Sequence, residues 1–138
     1  MPKKKLSLGV EPEAWEQEQY FKWVYTSQVR IPELELCNGS LNGVYLTPKQ
    51  KASVKLQGLR RGIPDIDLPV RKGPYSGLKI ELKRVKGGRV DPEQRRIHAL
   101  LTDQGYLVLV CRGWVEAVEA TCRYLNVDPG HSFKKSIA

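Results

Sequence analysis

Hydrophobic positions change their period along the chain, and the changes mark the elements. Between residues 11 and 30, Trp15, Tyr20, Trp23 and Val24 recur at roughly helical spacing, which predicts a first helix. Pro12 suits its opening turn, where the missing N–H would lack an intrahelical partner anyway. Glu11, Glu13, Glu16 and Glu18 put negative charge near the positive end of the helix dipole. Pro32 ends the helix. Residues 34–37 read as a short strand and 38–43 as a Gly/Asn loop. Thr47-Pro48 reads as a cap and first residue of a second helix that runs to about residue 56 and stops at Gly58.

In the middle of the chain the period drops to two. Ile66, Leu68 and Val70 alternate with Asp65 and Asp67, and Leu78, Ile80 and Leu82 alternate with Lys79, Glu81 and Lys83. Gly73-Pro74 and Gly77 lie between the two runs, which predicts a hairpin. Asp91-Pro92-Glu93-Gln94 has the cap, first-turn proline and returning amide of a helix start. Ile97, Leu100 and Leu101 would form that helix's buried face, and Gly105 would close it. Residues 106–111 are apolar throughout, as in a strand covered on both faces. Residues 113–125 read as a last amphipathic helix with Val115, Ala117, Val118 and Cys122 inward. The order α-β-α-β-β-α-β-α predicts an α/β fold, a mixed sheet flanked by helices. One domain over residues 11–126 is expected, between a basic tail at 1–10 and a second tail at 127–138.

Composition narrows the function. The 138 residues carry 23 Lys and Arg against 15 Asp and Glu, a formal charge of +8. A folded domain that basic suits a polyanion. No apolar run approaches the ~20 residues that span a bilayer, and the start, Met1-Pro2-Lys3-Lys4-Lys5, does not resemble a secretory signal. The basic residues are not laid along one amphipathic helix, so a membrane-surface role is not expected. Cys37, Cys111 and Cys122 include no CxxC pair, and the histidines are His98 and His131. Neither a disulfide framework nor a structural zinc site is expected, and a reducing, cytoplasmic setting is.

The chemistry concentrates in Gly62-Ile63-Pro64-Asp65 and Glu81-Leu82-Lys83. Strand period places Glu81 and Lys83 on one face, about 7 Å apart. If the hairpin pairs as read, Asp65 approaches Glu81. Two close carboxylates repel unless a cation lies between them, and hard oxygen ligands point to Mg2+ or Mn2+. A divalent ion, an acidic pair and a lysine are the parts that phosphodiester hydrolysis requires. Residues 55–96 hold twelve basic and five acidic side chains, so a positive field surrounds this acidic patch, with Arg60, Arg61, Lys79, Arg84, Lys86 and Arg89 as candidate DNA contacts.

Asp65 followed after sixteen residues by Glu81-x-Lys83 resembles the PD-(D/E)XK nuclease signature. With Gly77-Leu78-Lys79-Ile80-Glu81-Leu82-Lys83-Arg84, Gly87-Gly88-Arg89, Pro92-Glu93-Gln94, Gly105-Tyr106 and Gly113-Trp114, the chain resembles the VRR-NUC branch, in particular its small stand-alone phage and bacterial members, from about residue 13 to 125. The resemblance implies a restriction-endonuclease-like fold and metal-dependent DNA cleavage in a bacterial cell or phage-infected host. It assigns the metal to Asp65, Glu81 and the main-chain carbonyl of Leu82, and gives Lys83 the attacking water. It sets Gln94 near the active site, where the alternative is the capping box alone. Glu13, four before Gln17, matches the family's first-helix acid, with Glu16 and Glu18 as rivals. Asn38-Gly39 resembles a pair the phage members carry, although a plain loop turn also explains it. Trp114 reads as packing, and His98 as structural or exposed.

The leading expectation is a structure-selective endodeoxyribonuclease resembling Holliday-junction resolvases. Junction cleavage needs two symmetric nicks, which a homodimer supplies. The alternatives are a flap or single-strand nuclease or nickase of the same fold, and a noncatalytic DNA-binding module.

Overall fold

The computed structural model describes residues 10–40 and 45–138; the basic tail expected at 1–10 lies, but for its last residue, outside them, as do 41–44 of the predicted loop. The chain runs α1 (Glu13–Ser27), a 3-10 turn (Pro32–Leu36), β1 (Asn38–Gly39), α2 (Pro48–Leu56), β2 (Ile66–Leu68), β3 (Leu78–Lys83), α3 (Pro92–Asp103), β4 (Leu107–Arg112), α4 (Trp114–Leu125) and α5 (His131–Ile137). The four strands form one sheet in the order β1-β2-β3-β4, with β1–β2 and β2–β3 antiparallel. Leu107 N–H donates to Gly77 O and Gly113 N–H to Lys83 O. That constant offset makes β3 and β4 parallel, so the sheet is mixed and the fold α/β, as the order of periods predicts.

Local chemistry explains the boundaries. Thr47 and Gln50 close a reciprocal capping box at the start of α2, and Asp91 and Gln94 close another at α3, each satisfying two otherwise orphaned N–H groups. The hairpin pairs Ile66 with Ile80, Asp67 with Lys79 and Leu68 with Leu78. Its apolar face is shut, with Ile66, Leu68, Leu78 and Ile80 all at 1% exposure or less.

Four expectations are corrected. Residues 34–37 are not a strand. The alternation of Glu33, Leu34, Glu35 and Leu36 imitates strand period, but Leu34 N–H donates to Ile31 O and only Leu34 of the turn is buried. Strand β4 is not covered on both faces: it lies at the sheet edge, and Val110 is well exposed. The apolar stripe of α3 is only partly buried, with Leu100 half exposed. The segment from 127 is not a tail, because residues 131–137 form α5 and bury Phe133.

The residues divide into two compact units. One holds 36–81 and 90–109, hence β1, β2, α2, α3 and the first parts of β3 and β4; the other holds the residues up to 35, 82–89 and those from 110 on. In the second unit α1 packs on α4, where the Tyr20 hydroxyl bonds the Thr121 hydroxyl at 2.9 Å among Val24, Ala117 and Val118, all at 0% exposure. Trp23 Nε1 donates to Pro129 O and Phe133 meets Trp114 edge to face, which explains why the C-terminal helix is held.

Candidate active site

In the first unit the hairpin's polar face carries the charges. Asp67 and Lys79, paired in register, form an ion pair at 2.7 Å, and the Lys79 ammonium stands 4.7 Å from the Tyr106 ring centre. One step further along the same register, Asp65 stands opposite Glu81. The backbone of Asp65 is tied down by Ser40 N–H, which donates to its carbonyl at 2.8 Å. Gly62, at φ +90°, makes the turn that leads into it. Glu81 is 1% exposed, and its Oε1 lies 3.2 Å from His98 Nε2. Gln94, one turn before His98 on the same α3 face, returns its side-chain oxygen to the Asp91 N–H at 3.0 Å, so the capping role is present.

Cross-strand neighbours put their Cβ atoms about 4.5–5.5 Å apart, and like charges there repel. A cation between Asp65 and Glu81 would relieve that repulsion. Among the described residues no group of three or more His, Cys, Asp and Glu side chains is placed to hold a metal. The hard oxygen donors that the hairpin register brings opposite one another are the carboxylates of Asp65 and Glu81. Such a donor pair would suit Mg2+ or Mn2+, since magnesium keeps most of its waters and takes one or two carboxylates.

A VRR-NUC domain family model matches residues 11–114. The chain belongs to the VRR-NUC family. This is a nuclease-type family of the PD-(D/E)XK superfamily. A solved structure described as a VRR_NUC domain protein superposes with a TM-score of 0.68 at 22% sequence identity, over 85% of this chain and 90% of that one, which shows the shared restriction-endonuclease-like fold. No curated protein matches the chain.

In the second unit of this VRR-NUC domain, Lys83 is 6% exposed. Gly88, at φ +68°, leaves a space in which an added Cβ would meet Glu13 Oε2 at 3.6 Å and Lys83 Cδ at 3.8 Å; the Glu13 carboxylate and the lysine stem thus border the same point. Glu16 has other work. It is 4% exposed, and its Oε2 accepts from Trp114 N–H at 3.1 Å, capping the start of α4. Burial pushes its carboxyl up from the ordinary 4.5, opposed in part by that backbone bond. Glu18 is exposed. Of the three first-helix acids, Glu13 is the one beside Lys83.

The candidate DNA contacts divide. Arg60, Arg61, Lys86 and Arg89 are exposed. Lys79 is held by Asp67, and Arg84 is half buried with its Nε enclosed. Sequence reasoning missed two residues. His98, read as structural or exposed, stands against Glu81; its signal was the i, i+4 spacing from Gln94. Arg112 donates through its guanidinium to the carbonyls of Arg84, Gly87 and Gly88 and so holds the loop after β3, a role with no local signature. No helix among the described residues is long and apolar enough to cross a membrane.

Proposed function

We propose that this VRR-NUC domain is a Mg2+- or Mn2+-dependent endodeoxyribonuclease selective for DNA structure, resembling Holliday-junction resolvases and acting as a homodimer. The observation that carries the reading is the hairpin register, which sets Asp65 opposite a buried Glu81 and puts Lys83 two residues on along the same strand. Asp65, Glu81 and the Leu82 carbonyl would hold the ion, which when bound polarises the phosphoryl oxygen and lowers the pKa of a coordinated water. Lys83 orients the attacking water and offsets charge gathering on the phosphate. His98 fixes the rotamer of Glu81, so the carboxylate meets its ligand without further loss of side-chain freedom. Gln94 would act near the scissile phosphate, as the family pattern implies, and Glu13 would act on Lys83, whose stem it lies beside. A homodimer would supply the second cut.

The test compares wild type with Asp65→Asn and Lys83→Ala on four-way junction, flap, splayed-arm and linear duplex DNA, with magnesium and with manganese. Cleavage by wild type, lost about a thousandfold or more in both variants, with the junction cut fastest, is the expected result. Equal cutting by Asp65→Asn and wild type refutes the site. A flap or single strand cut fastest refutes the resolvase reading and leaves the nuclease.

A further inference from the structure

Within the unit formed by residues 36–81 and 90–109, α2, the Leu59–Gly62 turn and the first half of α3 enclose an open cleft of about 620 Å3. Its rim is cationic. Lys51 and Lys55 come from α2, Arg60 and Arg61 from the turn, and Arg96 from α3. The single acid among its walls, Glu93, is already neutralised by Arg96 at 2.7 Å, and Arg61 reaches Asp91 only at 3.5 Å. Lys51, Lys55 and Arg60 make no ion pair with any described residue. The floor is apolar and half buried, formed by Val54, Leu59 and Ile97. No residue of α2 is buried, and Lys51 and Lys55 are exposed to solvent.

We propose that this cleft seats an unpaired DNA strand, with phosphates on Lys51, Lys55 and Arg60 and bases against Val54, Leu59 and Ile97. A duplex presents phosphates but hides its bases, and would leave that floor unused; a single strand offers both chemistries at once. The volume admits a nucleotide. The location also fits: α3 turns Glu93, Arg96 and Ile97 into the cleft, while His98, one residue on from Ile97 and about 100° around the helix, lies 3.2 Å from Glu81. The Arg60-Arg61-Gly62 turn continues directly into Asp65. A strand leaving the cleft is therefore delivered toward the acidic pair, an inference that deepens the nuclease reading and rests on it for the direction of delivery only.

The test uses the full chain in chelator, so that nothing is cut, with fluorescence anisotropy of a labelled single-stranded oligonucleotide and of a duplex of equal length. The triple variant Lys51→Gln/Lys55→Gln/Arg60→Gln is compared with Lys22→Gln/Arg71→Gln/Lys135→Gln, which removes the same charge from exposed positions elsewhere. The cleft variant should weaken single-strand binding by about tenfold or more and lower the slope of log Kd against log salt by about two, near the ~0.7 per phosphate of single strands; the control should change Kd less than about threefold, and the duplex should lose less than the single strand. Equal losses in the two variants, or a loss confined to duplex, overturn the proposal. Wild type that binds through the cleft yet cuts nothing with either metal would sink the nuclease reading alone, while cutting by wild type beside an unaffected cleft variant would sink the cleft alone.

Discussion

Glu13 and Glu16 differ by less than one helical turn, yet the structure sets them in different surroundings, and that difference is measurable. Glu16→Ala removes the acceptor for Trp114 N–H, a bond at 3.1 Å made by a side chain that is 4% exposed. A backbone donor left without a partner costs about 1–3 kcal/mol, and the lost charge at the start of α4 adds about 0.3–1 kcal/mol. Relief of the burial that pushes this carboxyl up returns part of it. The net is about 2 kcal/mol, or a fall of about 8 °C in Tm for a domain of this size. Glu16→Gln keeps a carbonyl oxygen for Trp114 and should cost less than about 1 kcal/mol. The sign with pH follows from the raised carboxyl: the folded chain is favoured where Glu16 is protonated, and that advantage disappears as pH rises through the folded value. The Gln variant should therefore gain on wild type as pH rises above the ordinary carboxyl value of 4.5. Glu13→Gln should leave Tm within about 1 °C and slow single-turnover cleavage. Scanning fluorimetry across pH and single-turnover cleavage on the best substrate decide the matter. If Glu16→Ala keeps its Tm and loses cleavage, or Glu13→Gln cleaves as wild type, the division of labour is wrong.

Two further outcomes are expected. Burial pushes the Cys111 thiol up to about 12 and the Cys122 thiol up to about 11, so the native protein should resist iodoacetamide at pH 8 at both, and mass spectrometry should find them labelled only after denaturation; because the unfolded thiols ionise first, stability should also decline as pH rises above about 9. Gly62→Ala should cost about 2–4 kcal/mol, since φ is +90° and an added Cβ would stand 3.0 Å from Ile97 Cγ1 and 3.1 Å from Glu93 O; a Tm within 2 °C of wild type would contradict it.

Much of this was legible along the chain. The capping boxes at Thr47 and Asp91 are made by residues three apart, and the hairpin register follows from alternation plus the turn between 71 and 77, so Asp65 opposite Glu81 could be anticipated. What misled was ambiguity of period. Glu33 to Leu36 alternate like a strand while their backbone coils, and residues 106–111 are apolar enough for a central strand while lying at an edge. Phe133 beside Lys134 and Lys135 looked like a charged tail because nothing local announces that Trp114 waits for it.

The periods, the caps, the surplus of positive charge and the two acids and lysine of the hairpin are readable along the chain, because each depends on residues within a turn or two of one another or on simple composition. It takes the packed fold to bring Glu16 onto the start of α4 across 98 residues, Glu13 beside Lys83, His98 against Glu81, and Lys51, Lys55 and Arg60 around one cleft. Those assignments depend on which helix faces meet, and packing chooses among faces that the chain, read along its length, leaves equivalent.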